Sequence, residues 1–210
     1  MNAEKNIKKI YNNTKTAKLI VVTKNQSIQN VQHIYKIGER HFGENKVQDL
    51  LRKQQQLPND INWHMIGHLQ TNKVKLITPF IHMIQSVDSL KLIEKINSCG
   101  QKNQRIINCL IQIKIAEEDT KYGFTIKEAR EILNTDILSK YNYINIKGIM
   151  GMASFTTNTN QIKNEFKLMK KLFDACQKKY TILSMGMSKD YLLAYKAGSN
   201  MIRVGSAIFE

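Results

Sequence analysis

Eight short apolar runs alternate with seven stretches of helical spacing along the chain, and no other feature limits its fold as strongly. The runs lie over residues 18–24, 41–45, 62–67, 81–86, 106–115, 145–152, 181–185 and 201–206. The intervening segments 28–37, 46–56, 72–77, 89–98, 126–133, 161–178 and 191–197 read as helices, and a further helix is expected over 3–13. Gly38 and Pro79 fit helix ends. Strands joined through helices lie parallel, with right-handed crossovers, and eight such units close most naturally into a (β/α)₈ barrel of the α/β class. An open doubly wound sheet competes with it, because no helix is evident after the last strand. No Pro- or Gly-rich linker divides the 210 residues, so a single domain over 1–210 is expected, with 1–13 as its N-terminal helix.

The first run is β-branched, apolar and ends in Lys24, as expected of a strand buried on both faces. The carboxyl ends of such strands are where α/β folds place their chemistry. Burial there would favour the neutral amine, the form that attacks an aldehyde, although a lysine snorkelling from a strand end has the same local sequence. The loops after strands seven and eight, Ser184-Met185-Gly186-Met187-Ser188 and Gly205-Ser206-Ala207, combine small residues with hydroxyls beside helix starts. That pattern suits a phosphate at the expected end of a barrel, and equally a pair of turns with Ser188 as a helix N-cap. Arg203 lies within the last strand and shares a face with Met201 and Gly205, so its guanidinium needs an acceptor: a ligand nitrogen, a carboxylate or a structural ion pair.

Composition excludes several classes. The formal charge of +15 is spread along the chain in short runs such as Lys8-Lys9, Lys170-Lys171 and Lys178-Lys179, without interleaved aromatics. It predicts weak, salt-sensitive adhesion to polyanions and no specific nucleic-acid partner. No apolar run is long enough to span a membrane, and the charged segment 1–11 is unlike a signal peptide. Cys99, Cys109 and Cys176 are far apart and form no CxxC pair, in keeping with reduced thiols in the cytoplasm. His64 and His68 are four apart, but Gly67 and the strand pattern oppose a helix presenting both to zinc, and no HExxH motif is present. Walker A and GxGxxG loops are missing, and Gly186-Met187-Ser188-Lys189-Asp190 lacks the last glycine of a nucleophile elbow. Metal, nucleotide and serine-hydrolase readings therefore fall away.

The chain resembles the pyridoxal 5′-phosphate homeostasis proteins, the YggS/PROSC-like family. The similarity rests on the first strand, His41-Phe42-Gly43-Glu44-Asn45, Trp63-His64-Met65-Ile66-Gly67-His68-Leu69-Gln70-Thr71-Asn72-Lys73, Gln85-Ser86-Val87-Asp88-Ser89, Lys121-Tyr122-Gly123, Gly148-Ile149-Met150, Leu183 through Ser188 with Asp190, and the stretch from Gly198 to Phe209. The resemblance implies one barrel similar to the N-terminal domain of alanine racemase, with pyridoxal phosphate held as a reversible aldimine on Lys24. It further implies Arg203 at the pyridine nitrogen, Ser184, Met185, Gly205 and Ser206 around the phosphate, and Asn45 and Met150 along the ring, with Ser188 and His64 farther out. A cation at the ring nitrogen disfavours its protonation and weakens the electron sink. The expected role is thus to hold and deliver the cofactor, as a monomer that hands it to apoenzymes, with weak amino-acid racemisation as the alternative. Gln26 stands where the family usually has a second lysine, which bears on exchange of the cofactor. Phe209-Glu210 replaces the family's phenylalanine-glycine, which predicts a loosely covered last seam.

Overall fold

A computed structural model describes residues 2–116, 122–176 and 179–210. Lys121 and the expected end of a helix at Lys178 lie outside the described residues. In chain order the elements are α1 (Ala3–Thr14), β1 (Lys18–Val22), α2 (Ile28–Lys36), β2 (His41–Glu44), α3 (Val47–Gln56), β3 (Asn62–Met65), α4 (Val74–Ile77), β4 (Met83–Val87) and α5 (Leu90–Lys102). They continue with β5 (Ile107–Ile113), α6 (Ile126–Asn134), β6 (Ile144–Gly151), α7 (Thr159–Ala175), β7 (Ile182–Ser184), α8 (Tyr191–Lys196), β8 (Met201–Val204) and α9 (Ser206–Phe209). The strands form a closed parallel barrel in sequence order, which excludes the open sheet.

Alternation along each strand divides the side chains between two cores. Leu19, Val21, Phe42, Trp63, Met65, Ile111, Ile149 and Ile202 face outward and pack with the helices. Ile20, Met83, Leu110, Met150 and Met201 fill the barrel itself. Local signals agree with this arrangement: Ser27 and Ser89 cap α2 and α5, and Thr125 with Glu128 forms a reciprocal capping box on α6. Register shifts in the β4–β5 and β5–β6 pairs interrupt the regular ladder.

Two features depart from the sequence expectation. A short helix, α9, does follow the last strand, and α1 packs against it, with Asn6 Nδ2 donating to the Ile208 carbonyl at 3.1 Å. Ile208 is fully buried, so the final seam is covered. In addition, β1 stops at Val22, which leaves Lys24 in the turn beyond it.

That turn is held from below. Lys53 lies on the buried face of α3 with Val47 and Leu50, and its Nζ donates to the Thr23 carbonyl at 2.6 Å and to Glu44 Oε1 at 2.5 Å. Thr23 Oγ1 donates to the same carboxylate oxygen at 2.5 Å. Lys53 and Glu44 are both fully buried, and Glu44 Oε2 has no hydrogen-bond partner among the described residues. Removing one member of a buried pair strands the other charge, at a cost of roughly 3–5 kcal/mol. Lys53→Met is therefore expected to lower stability by about that amount in urea unfolding, and adding Glu44→Gln to recover much of the loss.

Candidate functional site at the carboxyl mouth

Parallel neighbours point the same way, so the register defines the inward positions. Ile20 pairs with Arg203, Val22 with Gly43, and Met150 with Ser184. Two residues beyond Val22 and Gly43 on the same alternation are Lys24 and Asn45, which lie past the strand ends at the carboxyl mouth. Asn45 is half-buried, and a side chain at Gly67 would collide with its backbone, so that glycine lets the loop after β3 close on it. Lys24 is exposed, which corrects the expectation of a lysine desolvated by the protein, and its amine has no hydrogen-bond or ionic partner among the described residues.

Deeper in the barrel, Arg203 is buried and donates to Ser184 Oγ at 2.6 Å and to the Gly151 carbonyl at 2.9 Å. Burial pushes the guanidinium down to about 10, opposed by the charge of Asp190, so it stays protonated at neutral pH. Asp190 is itself buried, which raises its carboxyl; the Met187 N–H, at 2.5 Å, and Arg203 act in the other direction. Two polar contacts occupy one N–H on each terminal nitrogen of Arg203 and leave further donors. Among the described residues its acceptors are a serine hydroxyl and a backbone carbonyl, not the structural ion pair that its strand also allows.

The loops after β7 and β8 meet at Ser188. Its Oγ accepts from the backbone N–H groups of Gly205 at 3.1 Å and Ala207 at 3.3 Å. Two backbone donors thus converge on one oxygen, a geometry that suits an anion. Gly186 lets the loop after β7 pack closely on α8: its φ is +96°, and a Cβ there would lie 2.6 Å from that of Ala194. Ser188 accordingly ties two loops together and is not the N-cap of α8, whose N-cap is Asp190.

Gly205 and the exposed Ser206 sit at this cradle, whereas two other expected phosphate residues do not. The Ser184 hydroxyl lies inside the barrel, where it receives Arg203 and donates to Gln85 Oε1 at 2.8 Å. The Met185 side chain is in the outer core, and its N–H is engaged by the Met201 carbonyl at 3.1 Å. Met150 is buried in the inner core beside Ser184. His64 is buried below Gln85, and burial, with His82, His41 and Lys18 nearby, pushes its imidazole well below the usual range. His68 is separate from it, paired with Asp88 at 2.8 Å and stacked on Tyr122 at 3.8 Å.

Sequence reasoning missed Gln85 and Asp190 as partners within this network, and Lys53 beneath it. Gln85 and Asp190 stand in the segments that carry the family resemblance, without a role assigned there, and Lys53 shows at the i, i+3, i+6 spacing of the buried face of α3.

Residues 2–210 match the family profile described as alanine racemase, N-terminal domain. The chain is 39% identical over 202 residues to the pyridoxal phosphate homeostasis protein of Helicobacter pylori, covering 95% of this chain and 90% of that one. The human protein of the same name is 35% identical over 208 residues, covering 91% and 75%. The chain belongs to the pyridoxal phosphate homeostasis protein family. Solved structures of similar fold include those of PipY of Synechococcus elongatus, determined without pyridoxal phosphate (31% identity, TM-score 0.91) and with it bound (30%, TM-score 0.89), each covering 100% of both chains. Alanine racemase of Clostridium difficile shares the fold at 18% identity and a TM-score of 0.79, over 99% of this chain and 56% of its own.

For a member of this family, the convergence on Ser188 can be examined directly. Ser188→Ala leaves the Gly205 and Ala207 N–H groups without their acceptor. Amide exchange at those two residues should accelerate by roughly tenfold, while exchange in β1 stays unchanged, as read by NMR.

Proposed function

We propose that this protein binds pyridoxal 5′-phosphate reversibly and takes part in cytoplasmic homeostasis of the cofactor, without turning over amino acids. The observation that carries the reading is that a free amine, a buried guanidinium and a two-donor anion cradle belong to one end of one barrel. The residues fit the cofactor by its chemistry. Lys24 would capture the aldehyde, the Gly205 and Ala207 N–H groups with Ser188 and Ser206 would hold the phosphate, and Asn45 would border the ring. Arg203 would donate to the ring nitrogen and keep that atom unprotonated, with Met150 packing beneath. Ser184 acts by fixing Arg203, and Met185 by fixing the strand that carries Ser184.

When bound, pyridoxal phosphate supplies an electrophilic carbonyl and, with a protonated ring, an electron sink. Arg203 works against the second property, so the residues support capture and release over carbanion chemistry. An exposed Lys24 is also open to competing amines, as delivery to an apoenzyme requires. The whole barrel, α1 included, is the binding unit in this proposal, acting as a monomer. No helix among the described residues is long and apolar enough to cross a membrane.

Incubation with pyridoxal phosphate followed by borohydride reduction and peptide mass spectrometry is expected to mark Lys24, and Lys24→Ala to abolish that label. A label confined to other lysines would defeat the assignment. The racemase alternative is favoured by the shared fold alone; sustained deuterium uptake at Cα from either enantiomer of an amino acid, dependent on Lys24, would establish it and overturn the non-catalytic reading.

A further inference from the structure

We infer that the opposite, amino-terminal mouth of the barrel is a binding site for one late first-row divalent metal ion, held by His41, His64 and His82. The three imidazoles come from neighbouring strands: His41 opens β2, His64 points inward from within β3, and His82 immediately precedes β4. One nitrogen of each lies within 4.8 Å of the other two, and the ring centroids are 5.2–5.3 Å apart. His41 Nδ1 and His64 Nε2 are already 3.0 Å from each other. Zinc–imidazole bonds of about 2.0–2.1 Å in a tetrahedral site separate the ligand nitrogens by roughly 3.3 Å, so modest ring rotations complete the set. No carboxylate is hydrogen-bonded to any of the three among the described residues, and an all-imidazole donor set favours zinc, copper, nickel or cobalt over magnesium and calcium.

The surroundings match a three-ligand site with an open position. His64 is fully buried and fixes the inner end, whereas His41 and His82 are half-buried and give access from solvent. Gln85 Nε2 stands 3.1 Å from His64 Nδ1; exchanging the ends of its amide presents an oxygen to that ring nitrogen and turns the amide N–H toward Ser184 Oγ, which then accepts from Gln85 in place of donating to it. Such an outer acceptor orients a ligating imidazole. Burial also keeps the imidazoles in the neutral form that ligates. Two cations face the cluster. Lys18 Nζ is 3.4 Å from His41 Nε2 on an exposed side chain free to swing out, and Arg105 bears on His82. Their repulsion opposes the ion, which predicts that removing the Lys18 charge tightens binding.

The site does not depend on the cofactor reading, since it lies at the other end of the barrel. The untagged full chain, stripped with chelator, is titrated with zinc by calorimetry and with cobalt by visible absorption. One ion per chain is expected, with the ligand-field bands of tetrahedral cobalt. His41→Gln and His82→Gln should each weaken zinc by more than about tenfold. Lys18→Gln should strengthen it, and His33→Gln and His68→Gln should leave it unchanged. Lys24 labelling and thermal melts report whether each variant is folded. Absence of saturable one-to-one binding, octahedral cobalt bands in the unaltered protein, or affinity that survives loss of both His41 and His82 would overturn the proposal; the cobalt spectrum decides it even where a variant fails to fold.

Discussion

Closure of the sheet by the β1–β8 pair is the constraint on which the remaining structure depends. Lys18, Leu19, Ile20 and Val21 lie opposite Met201, Ile202, Arg203 and Val204, residues almost the whole chain apart. That register fixes two things together. It sets Arg203 beside Ile20, two inward steps below Lys24, and it brings the loop after β8 against Val22, close enough that a Cβ on Gly205 would lie 3.0 Å from the Val22 carbonyl. A slip of one residue would turn Arg203 outward into the apolar layer under the helices, where no acceptor awaits it. The helices α1 and α9, packed across this seam, therefore protect the register on which the mouth is built.

Inside the barrel, polar groups replace apolar packing along a continuous line. Arg203 donates to Ser184, Ser184 to Gln85, Gln85 meets His64, and His64 meets His41. Every member is buried or half-buried, and each would be costly to leave unpaired. The line joins the two mouths, with the methionines and Leu110 filling the space beside it. Barrels usually pack their interiors with branched aliphatic side chains. Here the interior combines that packing with a path of amides, hydroxyls and imidazoles.

The strands were legible because both of their faces are covered, which makes continuous apolar runs, and the alternation of runs with helices led directly to the barrel. Polar inward positions were harder to interpret. His64, Gln85 and Ser184 interrupt otherwise apolar strands, and their partners sit on other strands, so spacing along one segment could not reveal them. His64 and His68, though close in sequence, have separate surroundings, and the His41, His64 and His82 cluster is invisible to spacing because strands gather residues by register. Four residues cannot display a helical period, which is why α9 escaped notice. Lys24, Arg203 and Gly205 lie at positions that follow from the alternation of β1 and β8, carried past the strand ends for the first and last. The resemblance groups Ser184 and Met185 about the phosphate, and alternation turns the first side chain into the barrel and the second to its outside.

The ammonium of Lys53 under the Thr23 carbonyl makes Lys24 a mast with a fixed foot. Its backbone is clamped through a buried ion pair, while the side chain above stands unhindered among the described residues. A group carried at its tip, as proposed, would change position by rotations about side-chain bonds, motions that take picoseconds to nanoseconds in exposed residues. In the proposed role, the slow part of loading or unloading would fall to covalent chemistry and to the incoming partner.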